Sequence, residues 1–476
     1  MPVRRAFALC VFVLVVTGPT LWHFGPSSAA TTINVPADYL TIQGAIDAAS
    51  NGDTVLVAPG TYLENINFRG KAIVVASTAG TGATTIDGRL APRPVVTFAS
   101  GEDSRSVVTG FTLKNGYADF DARYTGGGVS VDGSSPIIRG NVITENSAGS
   151  TGGGVGVRQG SPLIVNNLIQ RNTTAFSGSR GGGVSVYSTE GDTPSIIGNQ
   201  IVDNVGNSSG GGIYVFRAVY PLIQDNLISG NRAERGAGID YSGGGSIVQN
   251  LILFNRSVFE GSAIDFLGTG PVLNNTIYGN SALNTTYGSD VHLGSFVGAP
   301  RKIFVNNVIV GTVNCTNTYS PPPMQPAEMD FNNVYDPGGS AFSGACTDPT
   351  GLNGNISADP QFVNVALMDF RLSASSPSVD SGSSALVALP PLDFNGSTRV
   401  AGSTVDQGAF EIDPSAPTVT PTPSPTETPS PPDLVVESMK IELATGASCN
   451  FGGCITRDSS HDKESGQQCH GSTLLH

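Results

Sequence analysis

The sequence predicts an all-β fold, a right-handed parallel β-helix solenoid, on three observations. An asparagine pair recurs with its members five residues apart, a glycine-rich element follows each pair, and the apolar residues between them alternate in short runs with no helical period. The pairs are Asn141/Asn146, Asn167/Asn172, Asn199/Asn204, Asn226/Asn231, Asn250/Asn255 and Asn275/Asn280. An aliphatic residue follows each first asparagine by two positions: Ile143, Ile169, Ile201, Ile228, Ile252 and Ile277. The glycine element reads "GGGV" up to Val129, Val155 and Val184 and "GGGI" up to Ile213. It then decays to "GAGI" at Ile239, "GSAI" at Ile264 and "GSDV" at Val291.

Each repeat holds three alternating runs, such as "GVSV", "PIIRG" and "NVIT". Alternation gives a strand one buried face. A single repeat cannot bury that face alone, so coils must stack, strand over strand, at about 4.8 Å. Strand twist favours a right-handed coil. Equivalent asparagines then lie above one another, each amide donating to one neighbour and accepting from the next. The glycines belong where a corner needs positive φ or close backbone approach.

The elements follow in order. Residues 1–30 carry Arg4 and Arg5, the apolar run "AFALCVFVLVV" and a small-residue site ending at Ala30, which is the pattern of a secretory signal peptide. The alternative is an N-terminal membrane anchor, for which the run is short. No other segment is long and apolar enough to span a bilayer. Residues 31–412 are the β-helix with its caps. In "TIQGAIDAASNGD", Ile42, Ala45, Ile46 and Ala49 fall on one helical stripe and Asn51-Gly52 reads as the stop, so a short helix is expected to cover the open N-terminal end. "ADPQFVN", "DFRLSASSPSVDSG" and "PLDFNGSTRVAGSTVDQGAFE" lie outside the repeat and are expected to close the far end. Residues 413–432 are a Pro/Thr/Ser linker, and residues 433–476 are a short tail too small for a sandwich of its own.

Composition narrows the function. The formal charge of −14 becomes −16 once Arg4 and Arg5 are cleaved away, which argues against a nucleic-acid partner and would repel a polyanionic glycan unless a cation bridged the two. Five cysteines remain after the signal. Export makes a disulfide between Cys315 and Cys346 the expectation. Cys449, Cys454 and Cys469 leave an odd thiol, and "CNFGGC" lacks the second pair that a zinc site needs.

The opening "TIQGAIDAASNGDTVLVAPGTYLENI" followed by the Asn/Gly coils resembles the secreted bacterial β-helix proteins of the pectin-lyase-like superfamily. The "ITEN…GGGV" elements are similar to the repeats of polymorphic outer-membrane proteins. "SPSVDSG" and "RVAGSTVDQGAFE" resemble the C-terminal part of surface-anchored secreted proteins, and "DLVVESMKIEL" resembles the first strand of an adhesion-type immunoglobulin-like domain. The superfamily resemblance implies the fold and leaves the activity open, since its members include lyases, hydrolases, esterases and non-catalytic surface proteins. "GTYLE", "QDNL" and "DFLG" resemble pectin methylesterase motifs, but Asp225 and Asp265 fall in different slots of the repeat and the family's Arg-x-Trp element is missing.

One column of the repeat carries chemistry. The residue after each glycine-element hydrophobic is Ser130, Gly156, Ser185, Tyr214, Asp240, Asp265 and His292. Its neighbours are apolar and should face inward, so this column is expected to face solvent. Adjacent coils would then align Asp240, Asp265 and His292, a set able to act as weak catalytic candidates, with Asp240 and Asp265 as possible Ca²⁺ ligands. Tyr187 and Phe216 should join Tyr214 as an exposed aromatic strip for sugar-ring stacking. The expected function is a secreted or cell-surface β-helix that binds extracellular polysaccharide or a cell-surface component without catalysis and without a bound cofactor. The alternatives are a polysaccharide lyase or glycoside hydrolase on the Asp240/Asp265/His292 face, and a purely structural envelope spacer.

Overall fold

The structure, a computed structural model, describes residues 30–119, 125–188, 191–217, 219–284, 288–295, 302–317, 328–385, 389–413, 441–442, 448–450, 453–455 and 466–467. The expected signal peptide and nearly all of the expected linker lie outside these residues. Among the described residues, no helix is long and apolar enough to cross a membrane. The chain divides after Ser415 into two compact units.

The first unit is a parallel β-solenoid of about eleven turns. One sheet has 12 strands, from Thr32–Val35 to Glu328–Asp330. A second has 11, from Gly60–Leu63 to Asn333–Tyr335, and a third has 11, from Ile66–Asn67 to Phe342–Gly344. Within these three sheets the strands pair in parallel with their counterparts one coil away: Ile138 with Ile164, Ile143 with Ile169, Val155 with Val184. Like residues therefore stack on like. Ile138, Ile164, Ile196, Ile223 and Ile247 make one inward column, and Ile143, Ile169, Ile201, Ile228, Ile252 and Ile277 make another, all shut off from solvent. Each such side chain contributes about 1.5–3 kcal/mol of hydrophobic stabilisation.

The asparagines form two buried ladders. The first runs from Asn141 through Asn167, Asn199, Asn226, Asn250 and Asn275, and the second from Asn146 through Asn172, Asn204, Asn231, Asn255 and Asn280. Each Oδ1 accepts from both the backbone N–H and the side-chain amide of the preceding rung. In the first ladder the amide also donates to the carbonyl two residues upstream, as Asn167 does to Val165 at 3.1 Å. That bond spans a left-handed corner residue, here Asn166 at φ 54°. The first ladder continues through Asn307, Asn332 and Asn355, which the five-residue pairing did not reveal because their second members are missing. Close approach explains the glycines beside it: a Cβ on Gly154 would lie 2.6 Å from the Gly183 carbonyl oxygen.

The N-terminal helix spans Ile42–Ala48 and buries Ile42, Ala45 and Ile46. Glu64 accepts from the Ile42 and Gln43 N–H groups at 2.9 Å, tying the helix to the first coil. It stops earlier than Asn51-Gly52 suggested. Ala49 turns extended while its N–H closes onto Ala45 and Ile46, and Gly52 (φ 97°) serves the following turn instead.

The C-terminal segment departs from expectation. It does not simply close the far end but runs back along the solenoid flank. Ser383 contacts Asn306, Asp406 contacts Asn274, and the Leu392 carbonyl accepts from Gln249. The reason lies in the coils beneath, whose outward residues become apolar: Leu251 and Leu253 pack with Phe370, Ala409 and Phe410. Cys315 and Cys346 form the expected disulfide, with a Cα–Cα distance of 5.0 Å. In the second unit, four short strands, Ile441–Glu442, Ser448–Asn450, Gly453–Ile455 and Gly466–Gln467, pair antiparallel in that order.

Asn172→Ala tests the ladder. It would leave the Asn146 N–H without its acceptor, take the Asn172 amide away from the Ile143 carbonyl, and cost the Asn146 amide and the Asn204 Oδ1 one of their two bonds each. Unpaired buried groups cost about 1–3 kcal/mol each, so the chemical-denaturation midpoint should fall steeply, while exposed Thr173→Ala should barely move it.

Candidate functional site

The third sheet sets Asp240, Asp265 and His292 in direct register on consecutive coils. They alternate with the core residues Tyr241, Phe266 and Leu293, so they point away from the interior. Solvent does not reach them, contrary to the expectation. Asp240 is 7%, Asp265 4% and His292 5% exposed, and Ser130, Ser185 and Tyr214 in the same column are buried too. The corner before each strand folds back over the column. Gly236 and Gly261 hold φ values of 54° and 70°, and a Cβ on either would sit 2.6–2.7 Å from the Cβ of Asp240 or Asp265. The glycine element is therefore a lid as well as a corner.

Under that lid the three side chains form a polar stack. His292 Nδ1 lies 2.7 Å from Asp265 Oδ1, and Nε2 lies 2.6 Å from Thr316 Oγ1. With Nδ1 donating to the carboxylate, a neutral ring leaves Nε2 to accept from the threonine hydroxyl. Carboxylate, imidazole and hydroxyl in this order are an acid–base relay, but one closed to a polymer substrate. Burial, and next the neighbouring Asp265, push Asp240 up to about 8, with a hydrogen bond from Ser209 and the charges of Arg180 and Arg235 opposing. Burial thus favours the protonated form of Asp240. Among the described residues no three His, Cys, Asp or Glu side chains gather as a metal site.

The aromatic expectation holds only in part. Tyr187 and Phe216 are register partners, half-buried, with ring centroids 6.0 Å apart and planes 23° from parallel. Tyr214 stacks on Phe216 but is itself buried, beneath the Arg180 guanidinium 5.4 Å above its ring, and burial raises its hydroxyl to about 12. Arg217 lies 5.7 Å from the Tyr187 ring and 5.4 Å from the Phe216 ring. The same column continues into Asp132 and Arg158, which form an ion pair.

Sequence reasoning missed Arg217, Thr316 and Lys302. Arg217 was legible as the residue after the last strand position of its repeat. Thr316 was not, because its partnership depends on register across coils. Lys302 is buried, and that burial pulls it down to about 8 against the opposing charge of Asp265. Its ammonium donates to the Gly268 carbonyl and lies 4.8 Å from the ring of the core residue Phe266. Asp225 occupies a corner at φ 56°, held by Gln224 and Gln249, while Asp265 sits within a strand of the third sheet, so the two do not form an esterase pair.

Fold and site together define a right-handed type of parallel β-solenoid with a covered polar column and a partly open aromatic strip. Residues 103–309 match the family model described as the right handed beta helix region. No curated protein sequence matches the chain. Among solved structures, the chain is similar to the pectate lyase Pel9A at 16% identity and a TM-score of 0.43, over 81% of this chain and 97% of that one. It is also similar to XylC in complex with xylose, at 13% identity and a TM-score of 0.41, over 70% and 87% of the two chains. A third similar structure is the pectin methylesterase from Aspergillus niger, at 15% identity and a TM-score of 0.22, over 70% and 92%.

The raised Asp240 carries a stability signature. The unfolded chain loses this proton near 3.8 and the folded chain near 8, so folding binds the proton between those values and the contribution falls as pH rises through that window. Asp240→Asn, which mimics the neutral acid, should gain stability relative to wild type as pH climbs from about 5 to about 9. Denaturation midpoints measured across that range would show it.

Proposed function

We propose that this protein is a non-catalytic β-helix that works outside the cell, binding carbohydrate on an extracellular polysaccharide or a cell surface. The observation that carries this reading is the Tyr187/Phe216 pair: two near-parallel rings, one per coil, half-open to solvent and flanked by Arg217. Flat apolar faces bordered by a strong hydrogen-bond donor suit a sugar ring, whose C–H face stacks while its hydroxyls accept. The net charge of −14 favours a neutral glycan over a polyanionic one. Export is supported by the signal-like residues 1–30 and by the Cys315–Cys346 disulfide.

A lyase or hydrolase centred on Asp240, Asp265 and His292 is the second reading, favoured by the hydrogen-bonded relay through Thr316. The cover over all three side chains weighs against it, because a polymer must reach the groups that cleave it.

Binding to a glycan array should fall about tenfold in Tyr187→Ala and again in Phe216→Ala, corresponding to about 1.4 kcal/mol per ring. Asp265→Asn should leave it unchanged. Incubation with a polysaccharide panel should yield neither new reducing ends nor unsaturated products. Their appearance in wild type and loss in Asp265→Asn would instead establish the enzymatic reading.

A further inference from the structure

Two outward columns run side by side on the third sheet, and the Asp265–His292–Thr316 relay crosses from one to the other. Val215, Tyr241, Phe266, Leu293 and Cys315 stack inward on successive coils. The residue after each points outward: Phe216, Ser242, Leu267, Gly294 and Thr316. Asp265 and His292 belong to the sealed column on the other side of that core row. Thr316 is half-buried, as Phe216 is. The relay therefore climbs one coil per member, and its last group stands in the column that solvent reaches.

Gly294 makes that crossing possible. It is the register partner of Thr316. A Cβ there would lie 2.3 Å from Leu267 Cδ2 and 3.3 Å from His292 Cε1. With that slot free of a side chain, His292 Nε2 meets the Thr316 hydroxyl of the next coil at 2.6 Å. Across the ring, Nδ1 meets Asp265 Oδ1 of the preceding coil at 2.7 Å.

A hydroxyl, a base in hydrogen-bond reach of it and a third group that orients the base together activate a nucleophile. Cover over His292 and Asp265 does not oppose this chemistry. Only the nucleophile has to meet the acyl carbon, and a buried carboxylate serves to hold the tautomer that leaves Nε2 free to accept a proton. The half-buried position of Thr316 limits the acyl donor to a small one.

We propose that Thr316 is a site of covalent acylation by small carboxylic esters, with His292 as its general base and Asp265 as a positioning residue. Thr316 Oγ1 bonds to the acyl carbon as its proton passes to His292 Nε2. The bond from that carbon to the ester's alkoxy oxygen breaks, the oxygen keeps the electron pair, and the proton moves from His292 onto it. The products are an acyl-threonine and an alcohol, and nothing is oxidised or reduced. The step joins one acyl group to the protein and cleaves no glycan chain, so it goes beyond the carbohydrate reading and does not rest on it.

Incubation of the full chain with p-nitrophenyl acetate tests it, read by p-nitrophenolate release and by peptide mapping that separates Thr316 from acetylated lysines. Wild type should gain one acetyl group on Thr316. Thr316→Val, which keeps the side-chain shape, should lose that label, and Thr316→Ser should keep it. His292→Gln should slow labelling of Thr316 by about a hundredfold or more, and Asp265→Asn should slow it as well. Exposed Thr173→Ala should label as wild type does. A circular-dichroism melt of each variant checks that it is folded. Absence of acetyl on Thr316 in wild type overturns the proposal. Labelling of Thr316 at an undiminished rate in folded His292→Gln or folded Asp265→Asn overturns it too.

Discussion

The stacked asparagine is the interaction on which the rest of this molecule depends. Every turn of the solenoid must bend the backbone sharply between sheets, and each bend leaves amide and carbonyl groups that the sheets cannot pair. In the first ladder, the asparagine at each corner ties together its own bend, the coil before it and the coil after it. Because its Oδ1 takes both the N–H and the amide of the preceding rung, the asparagines must align, and that alignment sets the register of all three sheets. Identical apolar residues then stack without further instruction, which is why the inward columns are so uniform.

The same register governs what the outer surface can do. The glycine element is needed for close passage of neighbouring corners, yet its first glycine also folds over the outward column of the third sheet. Asp240, Asp265 and His292 are brought together as the repeat predicts, and the same device covers Asp240 and Asp265. Burial raises the Asp240 carboxyl well above its ordinary range and makes the Asp265–His292–Thr316 relay an internal polar stack. Two positions further along the strands the cover ends, and there Tyr187 and Phe216 meet solvent. A shift of two residues along the strand thus separates a sealed polar column from a usable face.

The C-terminal half shows the repeat yielding to other demands. The second asparagine ladder stops at Asn280 while the first continues to Asn355. Outward residues become apolar from the coil of Leu251 and Leu253, and the returning segment covers them with Phe370 and Phe410. Arg399 is buried there, its guanidinium donating to the Asp406 and Gly408 carbonyls. The disulfide fastens the last coil of the third sheet, and the first sheet ends beside it.

Much of this was legible in the sequence, because a stacked repeat writes its geometry as periodicity. The asparagine spacing, the alternating aliphatics, the capping stripe of Ile42, Ala45 and Ile46, and the cysteine pair all report local or one-coil relations. These determined the fold class, the ladders and the alignment of Asp240, Asp265 and His292. Tertiary structure alone decided which outward positions are open. Exposure depends on what passes overhead: Gly236 over Asp240, Arg180 over Tyr214, and the C-terminal segment over Leu251. Alternation names the side of a strand on which a residue stands, but only the folded chain decides whether water reaches it.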